Sequence, residues 1–243
     1  TTYHSWNDSV IILNSPPNAE GLTDITFKLN DSIFYTISGW IYYSNKQLHE
    51  LCGNIPDTLK QKNAYMLNCP DTIPVNRTLT IEPGVLIIVK NDKKNPVSLT
   101  VDGVITALGT VNDSIEIISV PGGKGLWEGI ILNNDGTFNY CVIRNAKNGI
   151  FQKNGKSTIE NSRFEENEIG INYYGRDKQV TTSINNCIIS NNSVGIKALA
   201  SGNDNYSRAD LKVNSSFITE NNGNGIELNG SGFVTSGLVQ RSQ

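Results

Sequence analysis

Along this chain of 243 residues, apolar side chains recur at every second or third position in short runs that end at Gly, Asn, Asp or Pro. "TLTIEPGVLIIV" from Thr78, "SLTVDGVITALGT" from Ser98, "SIEIIS" from Ser114 and "WEGIIL" from Trp127 are β-branched runs closed by Pro-Gly, Asp-Gly or Gly-Gly. That pattern predicts short strands joined by turns. Nearer the start, "SVIILN", "DITFKLN" and "SIFYTISGWIYYSN" alternate like strands, and "KQLHELCGNIPDTLKQKNAYMLNCP" leaves room for a short helix.

Further along, one figure returns four times: "FNYCVIRNAKNGI" from Phe138, "IENSRFEENEIGI" from Ile159, "INNCIISNNSVGI" from Ile184 and "VNSSFITENNGNGI" from Val213. The opening apolar residue and the closing Ile are 12 positions apart in the first three copies and 13 in the fourth. Small residues align (Cys141, Ser162, Cys187, Ser216), as do apolar ones (Ile143, Phe164, Ile189, Ile218), without a 3.6-residue stripe. Such periodicity marks a stacked architecture, and units built only of short strands fit the coils of a parallel β-helix. Before each closing Ile stands Gly149, Gly170, Gly195 or Gly225, which serves either a left-handed turn or close approach of neighbouring backbones. Asn167, Asn192 and Asn221 precede that turn in three copies, with Ala146 in the first, and their amides are expected to bond from coil to coil.

The succession "LTIEPGVLIIV", "LTVDGVITALGT", "IEIIS", "LWEGIIL", "YCVIRNAKNGI" resembles the right-handed, pectate-lyase-like parallel β-helix domains of secreted and cell-surface proteins, over roughly residues 73 to 230. The resemblance implies an all-β, right-handed solenoid of about seven or eight coils over residues 73–243. Residues 1–72 are assigned to a β-rich cap that covers the open backbone at the end of the stack. Fold does not carry function here, because the same coil serves lyases, hydrolases, adhesins and stalks. The hydrolase motifs Asn-Thr-Asp, Asp-Asp, His-Gly and Arg-Ile-Lys do not occur, nor does the lyase-type Arg-x-Pro-x-x-Arg. Both histidines, His4 and His49, are placed before the coils, so no histidine base is expected on them. No catalytic residue is assigned.

Carboxylates at turns (Glu165, Glu166, Glu168, Asp177, Asp204, Glu220) read as solvated groups, and neither a metal nor a cofactor is expected. Thr-x-Thr ladders of the kind that could face ice are not apparent, only isolated cases such as Thr78 with Thr80. Cys141 and Cys187 fall on one position two coils apart, about 9.6 Å by strand spacing, too far for a bridge and suited to buried free thiols. Cys52 and Cys69 lie in a turn-rich segment and are the candidate disulfide. Asn-x-Ser/Thr triplets, as at Asn76 and Asn112, arise easily in so Asn-rich a chain.

The net charge of -3 is spread evenly, which speaks against nucleic acid, and no apolar run approaches the roughly 18 residues of a spanning helix. The start at Thr1, without a signal-like stretch, reads as a mature, processed or excerpted chain. The spacers between copies carry the functional hint, because the step from each closing Ile to the next opening apolar residue lengthens from 9 to 13 to 17 positions, all on one edge of the solenoid. Stacked insertions of this kind often mark a binding face. "NYYGRDKQVTTS" and "KALASGNDNYSRADLK" supply Tyr173, Tyr174, Arg176, Asp177, Lys178, Asp204, Tyr206 and Arg208, a mixture of rings and charges suited to sugars. The expectation is a secreted or cell-surface structural or adhesive module whose partner is a polysaccharide or surface glycan. The alternatives are a polysaccharide lyase or related enzyme, and a stalk or filament that self-associates through open coil ends.

Overall fold

The computed structural model describes residues 2–6, 11–14, 21–29, 33–43, 47–61, 63–91, 95–120, 123–176, 179–201 and 208–230. The chain divides into two compact units, Thr1–Asn45 and Lys46–Gln243. In the first, Thr2–Trp6 pairs antiparallel with Ile11–Asn14, and Gly21–Leu29 with Ile33–Tyr43. No helix occurs among the described residues.

The second unit is a parallel β-helix. Its strands fall into three parallel sheets, visited in a fixed order as the chain advances. Sheet one has eight strands, from Gln47–Leu51 to Phe217–Thr219. Sheet two has seven, from Asp71–Ile73 to Ile226–Gly230, and sheet three has seven, from Thr58–Leu59 to Arg208–Asn214. Six complete coils (63–81, 86–108, 115–139, 141–160, 163–185 and 188–214) lie between partial coils at 47–59 and 217–230. The stack therefore begins well before the boundary read at residue 73. The segment that left room for a helix instead supplies Gln47–Leu51, Thr58–Leu59 and Asn63–Leu67, and His49 stands on the first strand of sheet one rather than ahead of the coils.

In-register pairing turns equivalent positions of successive coils into rows. On sheet three the inward row is Leu59, Ile81, Ala107, Phe138, Ile159, Ile184 and Val213, all but fully buried. Sheet one contributes Ile117, Ile143, Phe164, Ile189 and Ile218, and sheet two Leu99, Ile130, Ile150, Ile171, Ile196 and Ile226. Each side chain packs on the like one about 4.8 Å along the axis, so the core is a bundle of apolar columns. One outward row on sheet three is also uniform: Thr58, Thr80, Thr106, Thr137, Thr158 and Ser183. A single file of hydroxyls thus runs where the sequence showed only scattered threonines.

The corners divide the two glycine roles. The left-handed positions are Tyr140, Asn161, Asn186 and Ser215 at one corner and Asn145, Glu166, Asn191 and Glu220 at the next. Gly149, Gly170 and Gly195 are needed for close approach instead. A Cβ on Gly170 would sit 2.6 Å from the Gly195 carbonyl oxygen and 2.9 Å from Ile189 Cγ2.

Beside that approach runs the amide ladder. The backbone N–H groups of Ala146, Asn167 and Asn192 donate to the side-chain oxygens of Asn167 (2.9 Å), Asn192 (2.9 Å) and Asn221 (3.0 Å). The Nδ2 groups of the same three asparagines donate inward to the carbonyls of Ile143, Phe164 and Ile189. Asn167 and Asn192 are wholly buried, which is tolerable because each polar atom has a partner.

Cys52 and Cys69 form a disulfide that closes a separation of 17 residues. Cys141 and Cys187 are buried free thiols. Burial raises them to about 12 and about 11, and their backbone N–H groups donate to Ser162 Oγ and Ser216 Oγ one coil on.

Candidate binding face at the widened corner

The corner between sheets two and three grows along the stack. In the coil 141–160, sheet two ends at Gln152 and sheet three resumes at Gly155. One coil on, sheet two runs to Arg176 and sheet three resumes at Gln179. The extra residues are paired strand: Tyr174, Gly175 and Arg176 lie opposite Leu199, Ala200 and Ser201, and Gln179 lies opposite Arg208. The two insertions therefore run side by side, as extensions of the sheets over most of the described part.

Strand alternation then sorts the candidate residues. Tyr173 is fully buried, facing the interior in register with Gln152 on one side and Ala198 on the other. It cannot stack on an external ligand, which corrects its assignment to the binding face; it belongs to the buried core with Ala198, Ala200 and Ala209. Tyr174 faces outward and is half-buried. Arg176 is exposed at the strand end, and Arg208 is exposed with its Nε donating to Asp210 at 2.7 Å. Asp177, Lys178, Asp204 and Tyr206 lie outside the described residues.

The register brings further side chains to Tyr174 that the loop reading missed. On the outer face of sheet two, Ile131, Phe151, Asn172, Lys197 and Glu227 form one row, and Tyr174, Leu199 and Asn229 another. Lys153 Nζ sits 5.0 Å from the centroid of the Phe151 ring. Asn172 Nδ2 donates to Asn148 Oδ1 at 2.9 Å, and Asn229 donates to Glu227. Lys197 pairs with Glu227 at 3.0 Å, and this contact holds the Glu227 carboxyl below its ordinary range. Lys147 pairs with Glu128 at 3.2 Å. Two rings, several amides and matched ion pairs thus share one continuous surface alongside the widened corner.

A second polar cluster lies on sheet one. Glu165 is nearly buried and clamped by two guanidinium groups: Arg144 donates to Oε2 from Nε (3.1 Å) and Nη2 (2.8 Å), and Arg163 to Oε1 from Nε (2.8 Å) and Nη2 (2.6 Å). The carboxylate ties adjacent coils together. Of the other turn carboxylates, Glu166 accepts from Asn145 Nδ2 at 3.2 Å.

No family model, curated protein or solved structure matches this chain. What defines its class is the geometry just described, an all-β solenoid with three parallel sheets.

Proposed function

We propose that the chain is a structural and adhesive β-helix module of a secreted or cell-surface protein that holds a neutral polysaccharide along the outer face of sheet two. The observation that carries this reading is the placement of Phe151 and Tyr174 on adjacent coils beside Asn172, with Asn229 further along the row of Tyr174. Ring faces pack on the apolar faces of sugars, and amides both donate to and accept from hydroxyls. Lys197 and Lys147 are matched by Glu227 and Glu128, which tempers the positive charge that Lys153 brings beside Phe151 and leaves ring stacking and amide contacts to favour an uncharged glycan.

Titration calorimetry with soluble neutral and acidic oligosaccharides tests it. Saturable binding of a neutral glycan, weakened about tenfold or more by Tyr174→Ala or Phe151→Ala, is the expected result, a loss of the size that follows from removing one well-packed ring. Indifference to both classes refutes it. The same mixtures, followed at the absorbance of unsaturated products and by reducing ends, test the lyase alternative.

Self-association into a stalk is a second reading, drawn from the last coil. Among the described residues, Phe217–Thr219 and Ile226–Gly230 pair on one side only, and Phe217 and Leu228 are about half exposed. An unpaired strand edge is a template for another chain. Sedimentation velocity across a wide concentration range distinguishes a monomer from a growing stack.

A further inference from the structure

Where the corner starts to widen, the interior changes character. Gln152 and Tyr173 are in register on sheet two, and Ser157 and Thr182 are in register on sheet three in the same two coils; all four are buried. Ser157 Oγ and Thr182 Oγ1 satisfy each other at 3.2 Å. Gln152 Nε2 donates to the carbonyls of Asn134 (2.9 Å) and Asn154. Gln152 Oε1 and Tyr173 Oη, however, are buried without a hydrogen-bond partner among the described residues.

Two orphaned polar atoms on neighbouring rungs are costly, because each forfeits its bond to solvent. Folded proteins meet this cost with enclosed water, which typically makes two to four hydrogen bonds. The requirements match here. Gln152 Oε1 can only accept, Tyr173 Oη can donate and accept, and the Thr182 hydroxyl, which accepts from Ser157, keeps its own hydrogen. Along sheet two the neighbours are small: Tyr173 lies opposite Ala198, and Gly175 opposite Ala200.

We propose that the widened corner is a binding site for enclosed water, with a water molecule bridging Gln152 Oε1 and Tyr173 Oη between adjacent coils. The site lies inside the helix and is separate from the outer face assigned to glycan. A crystal structure at a resolution that resolves waters is the test. The expected result is a density peak within hydrogen-bonding distance of both atoms, lost in Tyr173→Phe, with the unfolding equilibrium of that variant shifted about tenfold toward the unfolded state, as for a lost hydrogen bond. A dry interior at this point in the wild-type crystal, or a Tyr173→Phe protein as stable as the wild type or more so, overturns the proposal. Because the wild-type crystal decides the first point, a variant that fails to fold leaves the test intact.

Discussion

Asn192→Ala removes the middle rung of the amide ladder. In the wild type, Asn192 Oδ1 accepts from the Asn167 backbone N–H (2.9 Å) and from Asn167 Nδ2 (3.1 Å), while Asn192 Nδ2 donates to the Phe164 carbonyl (2.9 Å) and to Asn221 Oδ1 (3.0 Å). Asn167 Nδ2 keeps the Ile143 carbonyl, and Asn221 Oδ1 keeps the backbone N–H of residue 192. One group is left without a partner, the Asn167 N–H, because the Phe164 carbonyl keeps its place in the sheet-one ladder opposite Ile188–Ser190. For an unsatisfied buried donor, the expected loss is about 1–3 kcal/mol. Amide hydrogen exchange reads it directly, because the Asn167 N–H should lose its protection while amides in the coil 86–108 keep theirs. Asn192→Asp adds a sign. It retains an acceptor for Asn167 but buries a carboxyl facing two oxygen atoms, which raises the folded-state pKa above the unfolded value of about 3.9. Its stability is then fully present below about pH 4 and falls as the pH rises through the folded-state value. An Asn192→Ala loss under about 1 kcal/mol, together with an Asn192→Asp stability that does not fall between pH 4 and pH 7 relative to wild type, would refute the ladder as a source of stability.

Reducing the Cys52–Cys69 bridge, or replacing both residues with Ala, should cost about 3 kcal/mol for a loop of this length, measured by denaturant unfolding with and without reductant. Gly170→Ala places a methyl group against the Gly195 carbonyl oxygen and should lose about 1–3 kcal/mol, whereas Gly53→Ala, open to space but left-handed, should lose about 1 kcal/mol; paired thermal melts compare them. Cys141 and Cys187, raised by burial to about 12 and about 11, should resist alkylation at pH 8 in the folded protein and react once it unfolds, as mass spectrometry of labelled peptides would show.

Much of the architecture was legible in the Gly-Ile copies, because figures of nearly equal length repeat the same residue type at the same count. Legibility failed where counts vary. The sheet-three hydroxyls Thr58, Thr80, Thr106, Thr137, Thr158 and Ser183 share one row although their separations along the chain are unequal, and only the pairing reveals it. The coils before residue 73 lack the Gly-Ile figure, so the sequence there reads as a cap. The glycines admitted two roles, and choosing between them required the position of the neighbouring backbone. The binding face was half legible. Taking the spacer for a loop made Tyr173 and Tyr174 equivalent, but in an extended strand adjacent residues face opposite ways, so one belongs to the core and the other to the surface. Phe151 was missed because its relation to Tyr174 exists only across coils.

The growing corner also answers a difficulty inherent in a stack of near-identical rungs. With Ile143, Phe164, Ile189 and Ile218 in one column and repeated asparagines beside it, a chain that slipped by one whole coil would recover many of the same contacts. It would not recover the corner. Shifted back onto the coil 141–160, the strand Val194–Ser201 would set Leu199, Ala200 and Ser201 beyond the end of the Ala146–Gln152 strand, with no rung to receive them. Unequal length acts as an address label at these coils, making the correct register distinguishable from the slipped copy.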